Sequence, residues 1–114
     1  MPIEEELTLM RIFVGESDRW QHRPLYQAIV ELLCAEGLAG ATVLKGSMGF
    51  GARSELHSDR YLRLSSDLPV VIEAIDRPAQ VEAVLPKLEQ LCGGGLLTLE
   101  NVRAFRFAAR EESA

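Results

Sequence analysis

The chain has 114 residues and a mass of 12.6 kDa, a length suited to one compact domain that buries roughly two-thirds of its unfolded surface. Hydrophobic residues make up 47% and charged residues 25%, which excludes a disordered or fibrous chain. With 12 basic against 17 acidic residues the net charge is −5, which argues against a nucleic-acid binder whose affinity rests on phosphate neutralisation.

In chain order, the start Met-Pro-Ile-Glu-Glu-Glu has neither the basic region nor the apolar core of a signal peptide. No later apolar run approaches the roughly 20 residues of a membrane helix. With only two cysteines, the expectation is a soluble cytoplasmic protein. Leu7 to Val14 reads as a short strand closed by Gly15, with loop chemistry from Gly15 to Arg19. Pro24 sits where a first helical position tolerates proline. Leu25, Ala28, Ile29, Leu32 and Leu33 then recur on one helical face, and Gly37 supplies a left-handed stop.

Ala41 to Phe50 returns to strand character, and Pro69 to Ile75 forms a further strand that opens on an acceptable proline. Asp76-Arg77-Pro78 starts a second helix, whose inward stripe is Val81, Val84, Leu85, Leu88, Leu91 and Cys92. Pro86 removes one backbone bond and predicts a kink or local break there. Gly93-Gly94-Gly95 ends this helix, and Leu96 to Leu99 with Val102 to Phe107 reads as a last extended segment. The core thus runs from about 7 to 107, with a loose tail over 108–114. The order β-α-β-β-α-β predicts an α+β, ferredoxin-like domain: an antiparallel sheet with two helices on one face.

Helices on one face call for alternating strands, yet Leu7, Leu9 and Phe13 oppose Met10, Ile12 and Val14 on the first strand. Both faces of Pro69 to Ile75 are also apolar. Sheet-to-sheet association would bury side chains worth about 1.5–3 kcal/mol each. A tolerably apolar exposed sheet is the alternative.

The connection from Gly51 to Asp67 is longer than compact domains usually carry, and it concentrates Arg53, His57, Arg60, Tyr61 and Arg63. It reads either as a binding loop or as a solvated hairpin tip. Just before it, Lys45-Gly46-Ser47-Met48-Gly49-Phe50-Gly51 offers backbone N–H groups and a cation to an anion. The run is neither a Walker loop nor a dinucleotide fingerprint, and glycines at a strand end also mark bulges. Gly93 to Gly95 is a second cradle or simply a helix stop. Arg103 and Arg106 on the last strand offer anion contacts or plain surface charge. His22 and His57 do not stand at metal-ligand spacing from Cys34 or Cys92, and both cysteines read as buried, inert thiols. No catalytic constellation emerges, since Glu16 and Asp18 are better suited to turn bonds.

Several runs together resemble the PII signalling superfamily, and more closely its small PII-like branch known as domain of unknown function 190. They are Gly-Glu-Ser-Asp-Arg at 15–19, Gly-Leu-Ala-Gly-Ala-Thr-Val-Leu-Lys-Gly at 37–46 and Met-Gly-Phe-Gly at 48–51. Asp-Leu-Pro-Val-Val-Ile-Glu at 67–73 and Gly-Leu-Leu-Thr-Leu-Glu-Asn-Val at 95–102 continue the likeness. The resemblance implies a homotrimer with ligand clefts between subunits and a mobile T-loop, here about 51–67, that touches other proteins. It implies nucleotide contacts from Gly49, Phe50 and Gly51, from Gly93, Gly94 and Gly95, and from Arg103 and Arg106. Lys45 and Arg53 would add charge to the same cleft, while His57, Arg60 and Tyr61 would dock the partner. The resulting expectation is a non-enzymatic regulator that binds a small anion, an adenine nucleotide first among them. Its partner would be another protein, with a membrane transport protein as one candidate. The rival readings are a metal-binding, tolerance-type trimer of the same fold and a purely structural interaction module.

Overall fold

The computed structural model describes residues 2–50 and 67–110. Strand β1 (Ile3–Gly15) leads through a tiny hairpin, β2 (Arg19–Trp20) and β3 (Arg23–Pro24), into helix α1 (Leu25–Ala35). Strands β4 (Thr42–Lys45) and β5 (Pro69–Asp76), helix α2 (Pro78–Leu91) and strand β6 (Leu96–Arg106) complete the domain. The main sheet is antiparallel in the order β4-β5-β1-β6, the ferredoxin-like arrangement expected of the element order.

Register decides which side chains face the helices. Met10 pairs with Ala74 and Ile12 with Ile72, so the even positions of β1 and β5 share one face. There Met10, Ile12, Val14, Val70, Ile72 and Ala74 pack against Leu25, Ile29 and Leu33 of α1 and Val81, Val84 and Leu88 of α2. The opposite face carries Leu9, Val71 and Val102, half-buried, and Phe13, Leu44, Ile75 and Leu96, exposed. The two-faced apolarity read from the strands is therefore real, and within one chain the second face stays open.

Local chemistry explains both helix ends. Pro24 is the N-cap of α1 and not its first turn, which begins at Leu25; the Leu25 N–H donates to the Asp18 carbonyl at 2.8 Å, satisfying a donor the helix leaves orphaned. At the far end Gly37 adopts φ +85°, and Leu38 N–H donates to Leu33 O at 3.1 Å, a Schellman closure with both leucines buried. Pro78 stands at the start of α2 as expected. The helix nevertheless continues through Pro86 without the expected break. Pro86 lies on the exposed side of α2, where water can serve the carbonyl that its missing N–H leaves unpaired.

Strand lengths depart from the sequence reading at both ends. β1 starts four residues earlier, at Ile3, because Glu4 and Glu5 find Arg103 and Arg106 on β6. β4 spans only Thr42–Lys45, since Gly46 N–H turns onto the Pro69 carbonyl at 2.7 Å. The β2–β3 hairpin was not anticipated. Its two-residue turn places Gln21 at φ 49° and His22 at φ 69°, a conformation that normally selects glycine or asparagine. Left-handed backbone in such residues costs on the order of 1 kcal/mol each. His22→Gly should therefore raise unfolding free energy by about 0.5–1 kcal/mol in urea titration, after the extra freedom glycine gives the unfolded chain.

Candidate ligand-binding site

The C-terminal end of β1, the end of α2 and the start of β5 meet around a cavity of about 350 Å³. Its walls include Phe13, Gly15, Asp18, Phe50, Asp67, Gly93, Gly94, Gly95 and Leu96. Thus Phe50 and the Gly93–Gly95 run, far apart in sequence, line one cavity within the chain. Gly94 takes φ +97°, so the run leaves α2 through a turn that a side chain would strain. A Cβ on Gly95 would sit 3.5 Å from both the Phe13 and Cys92 carbonyl oxygens, so the run packs closely on the end of β1. A second cavity of about 300 Å³ lies beside it, between Leu85 and Leu88 of α2 and Leu97 of β6.

Two carboxylates that the sequence reading did not assign to the site line the main cavity. Asp18 Oδ2 accepts the Gly15 N–H at 2.9 Å, and Asp67 Oδ1 accepts the Ser17 hydroxyl at 2.7 Å. The Glu16 N–H donates to the Leu68 carbonyl at 2.8 Å, which fixes the β1 turn against the start of β5. Gly15 suits this crowding: a Cβ there would come within 2.6 Å of Asp67 Oδ1 and would have to push that carboxylate aside. Likewise a Cβ on Gly49 would meet Pro69 Cγ at 2.9 Å. The one available signal was proximity in sequence, since Asp67 immediately precedes the Leu-Pro that opens β5.

The cations behave differently from expectation. Lys45 is absent from the cavity wall; its ammonium sits 2.9 Å from Glu16 Oε2 and 5.2 Å from the centre of the Tyr26 ring. The hydrogen bond to Glu16, aided by Tyr26, raises its pKa above the usual lysine value. Arg103 pairs with Glu4 at 2.6 Å, a contact that raises its pKa, and Arg106 pairs with Glu5. Opposite Arg103 in the ladder stands Glu6, and opposite Arg106 stands Ile3, so the two arginines project to opposite faces. Phe13 pairs with Leu96 at the other end of β6, so Arg103 lies about 23 Å along the strand from the glycine run. Within one chain, then, Arg103 and Arg106 do not converge with Phe50 and Gly93 to Gly95. Gly51, Arg53, His57, Arg60 and Tyr61 lie outside the described residues.

The thiols also need correction. Cys34 is exposed on α1, while Cys92 is half-buried at the C-cap of α2, where burial pushes its pKa up. Among the described residues no cluster of His, Cys, Asp and Glu has the geometry of a metal site, and no helix is long and apolar enough to cross a membrane.

The family model DUF190, described as "Uncharacterized ACR", matches residues 7–104. The chain belongs to the DUF190 family. A UPF0166 protein of Methanocaldococcus jannaschii is 35% identical over 99 residues, covering 86% of this chain and 91% of the relative. Among solved structures, apo CPII of Thiomonas intermedia K12, a nitrogen regulatory PII-like protein, superposes with a TM-score of 0.65 at 14% identity. The match covers 93% of this chain and 99% of CPII. CPII bound to ADP, AMP and acetate gives 0.64 at 14% identity, covering 90% and 91%. At these identities the likeness is one of fold, and this DUF190 protein has the PII-like fold.

Proposed function

We propose that this protein is a non-enzymatic, cytoplasmic regulator of the PII-like kind that binds an adenine nucleotide in the cavity between Phe50 and Gly93–Gly95. The meeting of those two segments around one cavity carries the reading. Glycine backbones allow close approach of N–H donors to a ligand, and the Phe50 ring, 69% exposed at the rim, offers a face for a base. CPII, which shares the fold, has been seen with ADP, AMP and acetate, which supports the choice of ligand.

The open sheet face supports a homotrimer in which three such faces cover one another. Three-fold assembly also explains how the β1–β6 ribbon could serve a site its own chain cannot reach, by carrying Arg103 or Arg106 to a neighbouring subunit. The 51–67 segment, with Arg53, His57, Arg60 and Tyr61, would then carry the bound state to a partner protein, a membrane transporter being one candidate.

A thermal-shift panel of adenine nucleotides, cyclic dinucleotides and simple anions tests the reading. An adenine nucleotide at a hundred times its dissociation constant should stabilise the fold by about 2.7 kcal/mol, visible as a raised Tm. Phe50→Ala should weaken that ligand about tenfold, the scale of one stacked base. Absence of any shift across the panel would leave a structural interaction module as the better description.

A further inference from the structure

Resting on that ligand reading, we propose that the Gly15–Asp18 turn couples the cavity to both roots of the 51–66 segment, with Glu16 and Ser17 as the positioning residues. Gly15 and Asp18 line the cavity. The two residues between them hold the chain on either side of that segment. Lys45, at the end of β4, reaches Glu16 Oε2 at 2.9 Å. Where the chain returns, the Glu16 N–H donates to the Leu68 carbonyl at 2.8 Å. Beside it the Ser17 hydroxyl donates to Asp67 Oδ1 at 2.7 Å. Glu16 therefore holds one root by its side chain and the other by its backbone.

The turn is itself a closed unit. The Gly15 N–H donates to Asp18 Oδ2 at 2.9 Å, and the Asp18 N–H donates back to the Gly15 carbonyl at 3.2 Å. The Leu25 N–H fastens the Asp18 carbonyl to α1. The two states that matter are this closed turn and its locally opened form. A ligand seated against Gly15 and Asp18 stabilises the closed state, which is the one that holds Lys45, Asp67 and Leu68. The coupling is reciprocal: a partner protein that fixes the roots from outside tightens the ligand by the same factor. The roots also meet directly, through the Gly46 N–H on the Pro69 carbonyl at 2.7 Å, which makes the Gly46 amide a reporter for both.

Amide hydrogen exchange on the intact chain tests this, with and without whichever of AMP, ADP or ATP raises the Tm most. At a hundred times its dissociation constant that nucleotide should slow exchange at Glu16 and Gly46 together, by about tenfold or more. Ser17→Ala removes the hydroxyl bond to Asp67 and leaves Gly46 untouched. In the free protein it should nevertheless speed exchange at Gly46 about threefold, the scale of one exposed hydrogen bond. It should also cut the nucleotide's protection of Gly46 from about tenfold to about threefold, whereas a merely structural loosening would leave that protection intact. Ser17→Thr keeps the hydroxyl and should restore it. Nucleotide binding without protection at Gly46, or a Ser17→Ala effect confined to residues 15–18, overturns the coupling while leaving the ligand site standing. Failure of all three nucleotides to bind removes both readings together.

Discussion

Asp76→Ala should lower the unfolding free energy by about 2–4 kcal/mol, read from the midpoint of a urea titration at unchanged slope. Asp76 closes β5, is only 7% exposed, and stands opposite the buried Thr8 on β1. Its two oxygens serve two different segments: Oδ2 accepts the Ala39 N–H at 2.9 Å, and Oδ1 accepts the Arg77 N–H at 2.7 Å. The carboxylate thereby ties the turn after α1 to the junction of β5 and α2. Removing it leaves two part-buried donors without that acceptor, each worth about 1–3 kcal/mol when unsatisfied. Asp76→Asn keeps one acceptor oxygen and should lose roughly half as much. A loss below about 1 kcal/mol for alanine would mean that water replaces both bonds.

The sequence reading of Asp76 as a helix opener was right about position and silent about this tie, because its partner Ala39 is 37 residues away. The same distinction runs through the fold. Periodicity revealed α1, α2 and the buried side of β1 and β5, since a stripe of apolar residues reports its own face without knowledge of the partner. Glu4 to Glu6 gave no such report. They are polar, and only the β1–β6 register turns Glu4 and Glu5 into ladder residues neutralised by arginines. β4 was read too long because Met48 and Phe50 are apolar, although both end up exposed past the turn at Gly46. The β2–β3 hairpin escaped notice because its turn uses Gln21 and His22 in place of the glycine that would have announced it.

At the candidate site the split is equally physical. Glycine runs are visible in sequence because they mark close backbone approach wherever the chain folds. Whether an arginine faces a cavity depends on strand parity and on which acid lies across the ladder. The three-residue offset of Arg103 and Arg106 implies opposite faces; the acids that pair with them, Glu4 and Glu5, did not show until the register was known. Asp18 and Asp67 entered the cavity through the packing of the β1 turn against β5, a contact between segments about 50 residues apart.

If the proposed trimer forms through the open sheet face, Ile75→Asp should convert it into single chains of 12.6 kDa. Ile75 is 44% exposed on the open face, in register with Leu9, and lies away from the ligand cavity. Farther along the same face, beyond Arg11 and Glu73, stand Leu44, Val71, Phe13 and Leu96, so the face as a whole presents apolar surface that single chains seldom leave wet. Near the middle Arg11 bonds Glu73 at 2.9 Å and also bonds Glu100, so the cation on this stretch of the face is already paired within its own chain. The contacts between copies are thus left mainly to apolar side chains, worth about 1.5–3 kcal/mol for each one fully covered. A new carboxylate at position 75 would be buried without a partner on assembly, a cost of several kcal/mol per subunit that outweighs the lost contact alone. The buried side of β5 is untouched, so the monomer should keep its circular dichroism spectrum. Gln27→Asp, on the exposed side of α1, serves as the charge-matched control and should leave the assembly intact. Light scattering that gives 12.6 kDa for the wild type at micromolar concentration, or an Ile75→Asp protein of undiminished mass, would show that the open face is not what joins the copies.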